Sequence, residues 1–129
     1  MVSERVKALM ETFDLGDTAF HEMIILDREG MIRTDGPWFV FNWASEKTGC
    51  FVPEQTHRLA AEGTPERGYS PCGHSKHFLV VRASSATGAD LWTDPILHRT
   101  LFFSDRLKRA IDQAKFRKPI RFRECMVIS

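Results

Sequence analysis

The run Trp38-Phe39-Val40-Phe41-Asn42-Trp43, apolar at every position but Asn42, constrains this chain more than any other feature. Aromatic and β-branched side chains suit a pleated surface and lose rotamer freedom in a helix. The run therefore predicts a strand over 38–43. Strand alternation puts Trp38, Val40 and Asn42 on one face and Phe39, Phe41 and Trp43 on the other. With apolar groups on both faces, the expectation is a central strand covered on both sides. The same aromatics could form a base-stacking platform, but strand propensity favours a place in the core.

Around this strand the pattern changes period. Val6, Leu9, Met10 and Phe13 fall at i, i+3, i+4 and i+7, which predicts an amphipathic helix over 3–13. Ser3 is the expected cap, and Gly16 is the expected left-handed residue past the last turn. Residues 20–26 predict a strand, closed by the turn Asp27-Arg28-Glu29-Gly30. Residues 77–82 predict a buried strand around Phe78-Leu79-Val80-Val81. Leu91-Trp92 is an isolated apolar pair, with Trp92 expected to anchor a polar stretch to the core. Ser104-Asp105 is a clear helix start, and Leu107, Ala110, Ile111 and Ala114 recur at helical spacing. As a cap, Ser104 should tolerate replacement by Asp at little cost. Pro119 stops the helix, and a last strand is expected over 120–127, with Ile120 and Phe122 facing away from Arg121 and Arg123.

Between Ala44 and Ser75 neither period survives. Gly, Pro, Ser, Thr and charged residues dominate, with a short apolar piece at Phe51-Val52. The stretch is too short for a domain of its own, so residues 1–129 are expected to form a single domain. Two helices lie far apart in sequence with strands between them. That order predicts an α+β fold: an antiparallel or mixed sheet, two main helices and a long irregular loop.

The chain can build its core unaided. Ten Phe and three Trp supply large apolar surface, so neither disulfide nor metal is needed for folding. Three cysteines, scattered at Cys50, Cys72 and Cys125, point to reduced thiols and a cytoplasmic protein. The opening Met1-Val2-Ser3-Glu4-Arg5 runs straight into a charged helical pattern and does not read as a signal peptide. No apolar run approaches the roughly 20 residues of a membrane span. The formal net charge of +1 argues against a general nucleic-acid binder. The basic excess from Arg99 to Arg123 keeps a regulatory nucleic-acid-binding role as one alternative, a solvated helix face being its bland explanation.

No complete catalytic motif is present, and no cofactor is expected. Cys72, His74 and His77 bring a thiol and two imidazoles into six residues, which makes them weak candidates for part of a zinc shell. Their spacing matches none of the paired zinc motifs, so no metal is expected there. A small metal-dependent enzyme using this region is the other alternative. A Cys/His nucleophile pair needs an orienting third group that the sequence does not mark. Asp90, Asp94 and Asp105 surround Trp92 without defining an acid and a base.

Several short motifs together resemble the immunity-protein-eleven family of bacterial polymorphic toxin systems. They are Leu91-Trp92 with Asp94-Pro95, then Leu101-Phe102-Phe103-Ser104-Asp105-Arg106-Leu107-Lys108 with Ala110-Ile111, and a closing Phe122 and Val127. Upstream, Ser3-Glu4-Arg5-Val6, Phe20-His21 and Gly36-Pro37-Trp38-Phe39-Val40-Phe41-Asn42 are similar to the earlier part of that pattern. The resemblance implies a small cytoplasmic protein that binds and neutralises a cognate protein toxin by occlusion, with no catalytic residue to carry over. Members often have an additional N-terminal segment, so this chain is expected to be a short member or a fragment. The Cys72-to-His77 cluster has no counterpart in the shared pattern.

For such a partner the irregular stretch offers adaptable surface, with Glu46, Glu54, Glu62 and Glu66 available to meet basic groups. The rival surface is the basic face carrying Arg106, Arg109, Arg121 and Arg123.

Overall fold

The computed structural model describes residues 1–33, 35–60, 63–72, 79–117 and 120–129. The fold is α+β. A three-stranded antiparallel sheet joins β1 (Val2–Ser3), β2 (Ala19–Met23) and β3 (Trp38–Asn42) in the order β1-β3-β2. Phe20 lies opposite Phe41, and Met23 opposite Trp38. Helix α1 (Glu4–Met10) follows β1 directly. Strand β4 (Val80–Arg82) pairs in parallel with the closing strand β7 (Met126–Ile128). The two-residue strands β5 (Leu91–Trp92) and β6 (Phe102–Phe103) pair antiparallel and lead into α2 (Asp105–Gln113).

β3 is central, as its sequence predicts, but it is covered on one face only. Phe39 and Phe41 pack onto the core beneath α1 and α2, whereas Val40 and Asn42 are exposed. Trp43 leaves the strand and is 41% exposed, tilted against Phe41. The expected cover on the second face is absent because no described element packs there.

α1 is shorter than its apolar period suggests. Past Met10 the chain closes in turns, Thr12 N–H to Leu9 O and Phe13 N–H to Met10 O, although Phe13 still packs on the core. Ser3 sits at the N-cap position without a side-chain cap bond, and its backbone lies opposite Trp38 in the β1–β3 pair. Gly16 does adopt the left-handed conformation, with φ +57°. The last strand is only Met126–Ile128. Ile120 and Phe122 do face the core, with Arg121 and Arg123 outward, but that stretch joins no sheet.

Among the described residues, two apolar clusters fill the interior. One gathers Val2, Val6, Met10, Leu15, Leu91, Leu107 and Ile111 between α1, α2 and the inner face of the three-stranded sheet. The other gathers Cys50, Phe51, Leu79, Val81, Trp92, Leu97 and Phe102. β5 serves both. Alternation along a strand sends successive side chains to opposite sides, so Leu91 enters the first cluster and Trp92 the second. Phe103 and Phe102 in β6 divide in the same way.

Candidate partner-binding surface

Among its described residues, the excursion from Ala44 onward has one 3-10 turn, Pro53–Gln55, and otherwise only isolated bridges. It is nevertheless held closely. The Asp94 carboxylate is buried and accepts from the backbone N–H of Cys50 (3.1 Å), Phe51 (2.9 Å) and Ile96 (3.2 Å). Val52 N–H donates to Val80 O, and Arg82 N–H to Cys50 O, which draws the excursion against β4. The Thr56 hydroxyl donates to Val52 O and accepts from Val80 N–H. Further on the chain doubles back on itself. Ala60 N–H donates to Ser70 O, Cys72 N–H to Arg58 O, and residues 64–68 close the tip. The tip is tied down by Tyr69 N–H to Ile96 O (2.6 Å) and by His98 Nε2 against Arg67 O (2.7 Å).

Tyr69 packs edge-on to Phe51 at 5.9 Å. Gly68 is required at the tip: its φ is +78°, and a Cβ there would meet His98 Nε2 at 2.4 Å and Ile96 O at 3.0 Å. A second clamp lies at the start of the excursion. Lys47 Nζ donates to Ser85 O (2.7 Å) and Ala89 O (2.8 Å) and lies 5.1 Å from the centre of the Trp92 ring. Burial lowers the Lys47 pKa, while nearby Cys50, Asp90 and Asp14 act in the opposite sense.

On this braced loop, Glu54 and Glu66 are exposed. Glu54 has a long contact with Arg82, 4.0 Å, at the solvent boundary. Glu62 lies outside the described residues, as do His74 and His77. Cys72 is exposed and its thiol is free. Cys50 and Cys125, which could have completed a zinc shell with it, lie in the second apolar cluster instead. Burial pushes the Cys125 thiol up to about 11. Among the described residues no group of three or more His, Cys, Asp or Glu is placed to hold a metal ion.

The basic face of α2 is largely neutralised from within. Arg106 forks onto the buried Asp90, Nε to Oδ1 at 2.5 Å and Nη2 to Oδ2 at 2.6 Å. Arg109 pairs with Asp105 at 2.8 Å and Lys108 with Asp112 at 2.7 Å. Asp90 also accepts the Ser104 hydroxyl (2.5 Å) and the Asp14 N–H (3.1 Å). Burial drives the Asp90 carboxyl upward, but these donors outweigh it, and its pKa lies below the ordinary Asp value. The Arg106 guanidinium is raised by the same hydrogen bonds. Asp90 and Asp94, which the sequence offers as candidate acids, are thus buried acceptors that fix the backbone.

A small α+β fold with a long loop, braced internally at its described residues and presenting Glu54 and Glu66, is the class that this fold and surface define. No family model, no curated protein and no solved structure matches the chain. Among the described residues no helix is long and apolar enough to cross a membrane.

Proposed function

We propose that the protein is an immunity protein, which acts in the cytoplasm by binding a cognate protein toxin and occluding it rather than by catalysis. The observation that carries this reading is the bracing of the described residues between 44 and 72. A loop fixed before contact loses little conformational entropy on binding, which is the main cost an irregular surface would otherwise carry. Asp94, Thr56 and the Tyr69–Ile96 bond supply that fixation while Glu54 and Glu66 remain outside it. The motifs that resemble the immunity-protein-eleven family fall partly on the supports of this loop. Trp92 and Asp94 anchor it, and Ser104 and Arg106 hold Asp90.

Exposed carboxylates on a rigid loop suit a basic surface, such as the substrate cleft of a nuclease toxin. The contact is expected to have ordinary size, roughly 1,200–2,000 Å² in total. The test is co-expression with the toxin domain encoded beside the gene, followed by titration calorimetry. Protection with tight binding is expected, and Glu54→Lys with Glu66→Lys should weaken binding at least about tenfold, or about 1.4 kcal/mol. Arg109→Glu, on the rival face, should leave affinity unchanged. The absence of any binding by the adjacent toxin overturns the reading. Weakening by Arg109→Glu alone moves the contact to α2.

A further inference from the structure

Three short segments, 58–60, 69–72 and 96–98, lie side by side along the second apolar cluster. Ala60 N–H donates to Ser70 O and Cys72 N–H to Arg58 O, with Leu59 opposite Pro71 in an antiparallel bridge. On the other flank Tyr69 N–H donates to Ile96 O and His98 N–H to Tyr69 O, with Tyr69 beside Leu97 in a parallel bridge. Leu59, Tyr69 and Leu97 pack on the cluster. Side chains alternate along extended segments, so Ser70 and His98 turn to the opposite face. The His98 ring lies over Gly68, and its Nε2 is 2.7 Å from Arg67 O. Arg58, Arg67, His98 and Arg99 are all exposed. Neighbouring strands are about 5 Å apart, so Arg58 and Arg99, one on each flank of residues 70–72, have main chains roughly 10 Å from each other.

The charge on this face is unbalanced. Among the described residues, no carboxylate is paired with Arg58, Arg67 or Arg99, whereas Arg33, Arg82, Arg106, Lys108 and Arg109 each face one. Glu66 is the one carboxylate in the described parts of these segments and of the 64–68 tip. The backbone adds a second oddity. Arg58 and Arg99 hold left-handed conformations, with φ +60° and +55°. A Cβ is costly there and glycine is not. Two arginines thus stand where glycine would suit the chain better, and local strain of this kind gathers at functional sites.

We propose that this face binds the phosphate backbone of a nucleic-acid strand through Arg58, Arg67 and Arg99. The composition of the surface selects phosphates over an acidic protein. Guanidinium forks match phosphate oxygens and need no apolar neighbour. A protein partner would need an apolar or aromatic anchor at the centre of its contact. Among the described residues, the large apolar side chains that are exposed lie elsewhere, at residue 1, within 23–43 and at 126–127. Tyr69, which could stack on a base, is turned inward against Phe51. The contact therefore reads phosphates and is indifferent to base sequence. A net charge of +1 confines binding to this face and keeps it modest. The cations of α2 take no part, because they are held by their own carboxylates.

The proposal goes beyond the toxin reading and is independent of it, since the purified chain alone tests it. Fluorescence anisotropy with labelled oligothymidylate and oligouridylate strands of about 12 nucleotides is the measurement. Both strands should bind alike, with Kd of about 1–100 µM at low salt. Log K should fall against log salt with a slope of about −2, the value for three phosphates of a single strand. Arg58→Gln, Arg67→Gln and Arg99→Gln should each reduce that slope by about 0.7. Arg58→Gly with Arg99→Gly should weaken binding at least about tenfold while the thermal midpoint holds or rises, because glycine relieves the left-handed backbone. That result separates a binding role from a structural one. Arg109→Gln, on α2, should change nothing. No binding of either strand at about 300 µM protein in low salt overturns the proposal, as does binding without a salt slope. Binding that survives the double glycine variant overturns it too. Polyglutamate held as tightly as the oligonucleotides would assign the face to an acidic protein instead.

Discussion

At the level of single residues, Ser104 has two roles where the sequence suggests one. Its hydroxyl oxygen accepts from Leu107 N–H at 3.2 Å, as a cap should, and its proton goes to Asp90 Oδ1 at 2.5 Å. An Asp at 104 would still cap, but it would bring a second carboxylate against a buried one. The sequence-based expectation that Asp substitutes freely therefore fails on contact with Asp90. Ser104→Ala should cost about 1–3 kcal/mol, the cap together with a charge-assisted hydrogen bond. Ser104→Asp should cost more than Ser104→Ala at pH 7, and the gap should narrow near pH 4 as one carboxyl takes a proton; thermal midpoints at both pH values check this. Asp90 itself has a depressed folded pKa. Its contribution is complete above the ordinary Asp value near 3.9 and is lost as pH falls through the lower folded value. The acid limb of the stability curve should accordingly flatten in Asp90→Asn, which should also be less stable at neutral pH. The thiols offer an independent check on burial. Cys72 is exposed, Cys50 is buried, and the Cys125 thiol is pushed up to about 11 by its apolar surroundings. Reaction with an aromatic disulfide reagent at pH 8 should modify one thiol quickly and the other two only on unfolding, and Cys72→Ser should remove the fast phase.

At the level of elements, β5 and the excursion explain each other. Trp92 stacks on Phe102 with ring centres 4.1 Å apart and planes 12° from parallel, and the ammonium of Lys47 lies over its face. Trp92→Ala should cost about 3–5 kcal/mol. Lys47→Met keeps much of the stem but orphans two carbonyls, so it should cost about 1–3 kcal/mol and raise hydrogen exchange across residues 83–90. Equal exchange in both proteins would show that Lys47 holds nothing there. The elements most legible in the sequence were those whose own side chains decide them. The Trp38–Asn42 strand, the Ser104 start and the α2 period all rest on local pattern. Trp92 was legible too, since a large apolar residue among polar ones has few places to go. What stayed hidden was set by partners distant in sequence. Nothing near Asp94 announces that it caps the backbone of Cys50 and Phe51, and nothing near Lys47 points to Ser85 and Ala89. The strand at 120–127 was overextended for the same reason: Ile120 and Phe122 find apolar neighbours by alternation, but pairing depends on whether another strand lies alongside, and only Met126–Ile128 meets β4. Of the candidate surface, Glu54 and Glu66 are exposed, whereas the commitment of Arg106 to Asp90 cannot be read from their sixteen-residue separation.

At the level of the whole molecule, the two apolar clusters could in principle melt separately. Each has its own backbone framework: α1, α2 and the antiparallel sheet around one, the parallel β4–β7 pair and the excursion around the other. The joint is short. Leu91 and Trp92 are adjacent residues in different clusters, and Phe102 and Phe103 repeat the division on the facing strand. The Asp90 network closes one end of this joint by tying Asp14, Ser104 and Arg106 together. The Asp94 carboxylate closes the other by holding Cys50 and Phe51. Rigid, buried and doubly anchored, β5 cannot leave one cluster without disturbing the other, so the native chain should unfold in a single transition. Urea curves followed by far-ultraviolet circular dichroism and by Trp fluorescence should coincide. Asp94→Ala releases the excursion while leaving Leu91 and α2 in place. In that variant the fluorescence of Trp92 should change at lower urea than the helical signal, separating the two curves. The matching variant Asp90→Ala loosens the other end and should also destabilise, by about 2–4 kcal/mol. If β5 is the sole mechanical link, the two substitutions act on one element and their costs should fall short of adding, with a coupling of about 0.5–3 kcal/mol. Strict additivity, with coincident curves in Asp94→Ala, would mean that the clusters are coupled by a broader contact than the two residues of β5.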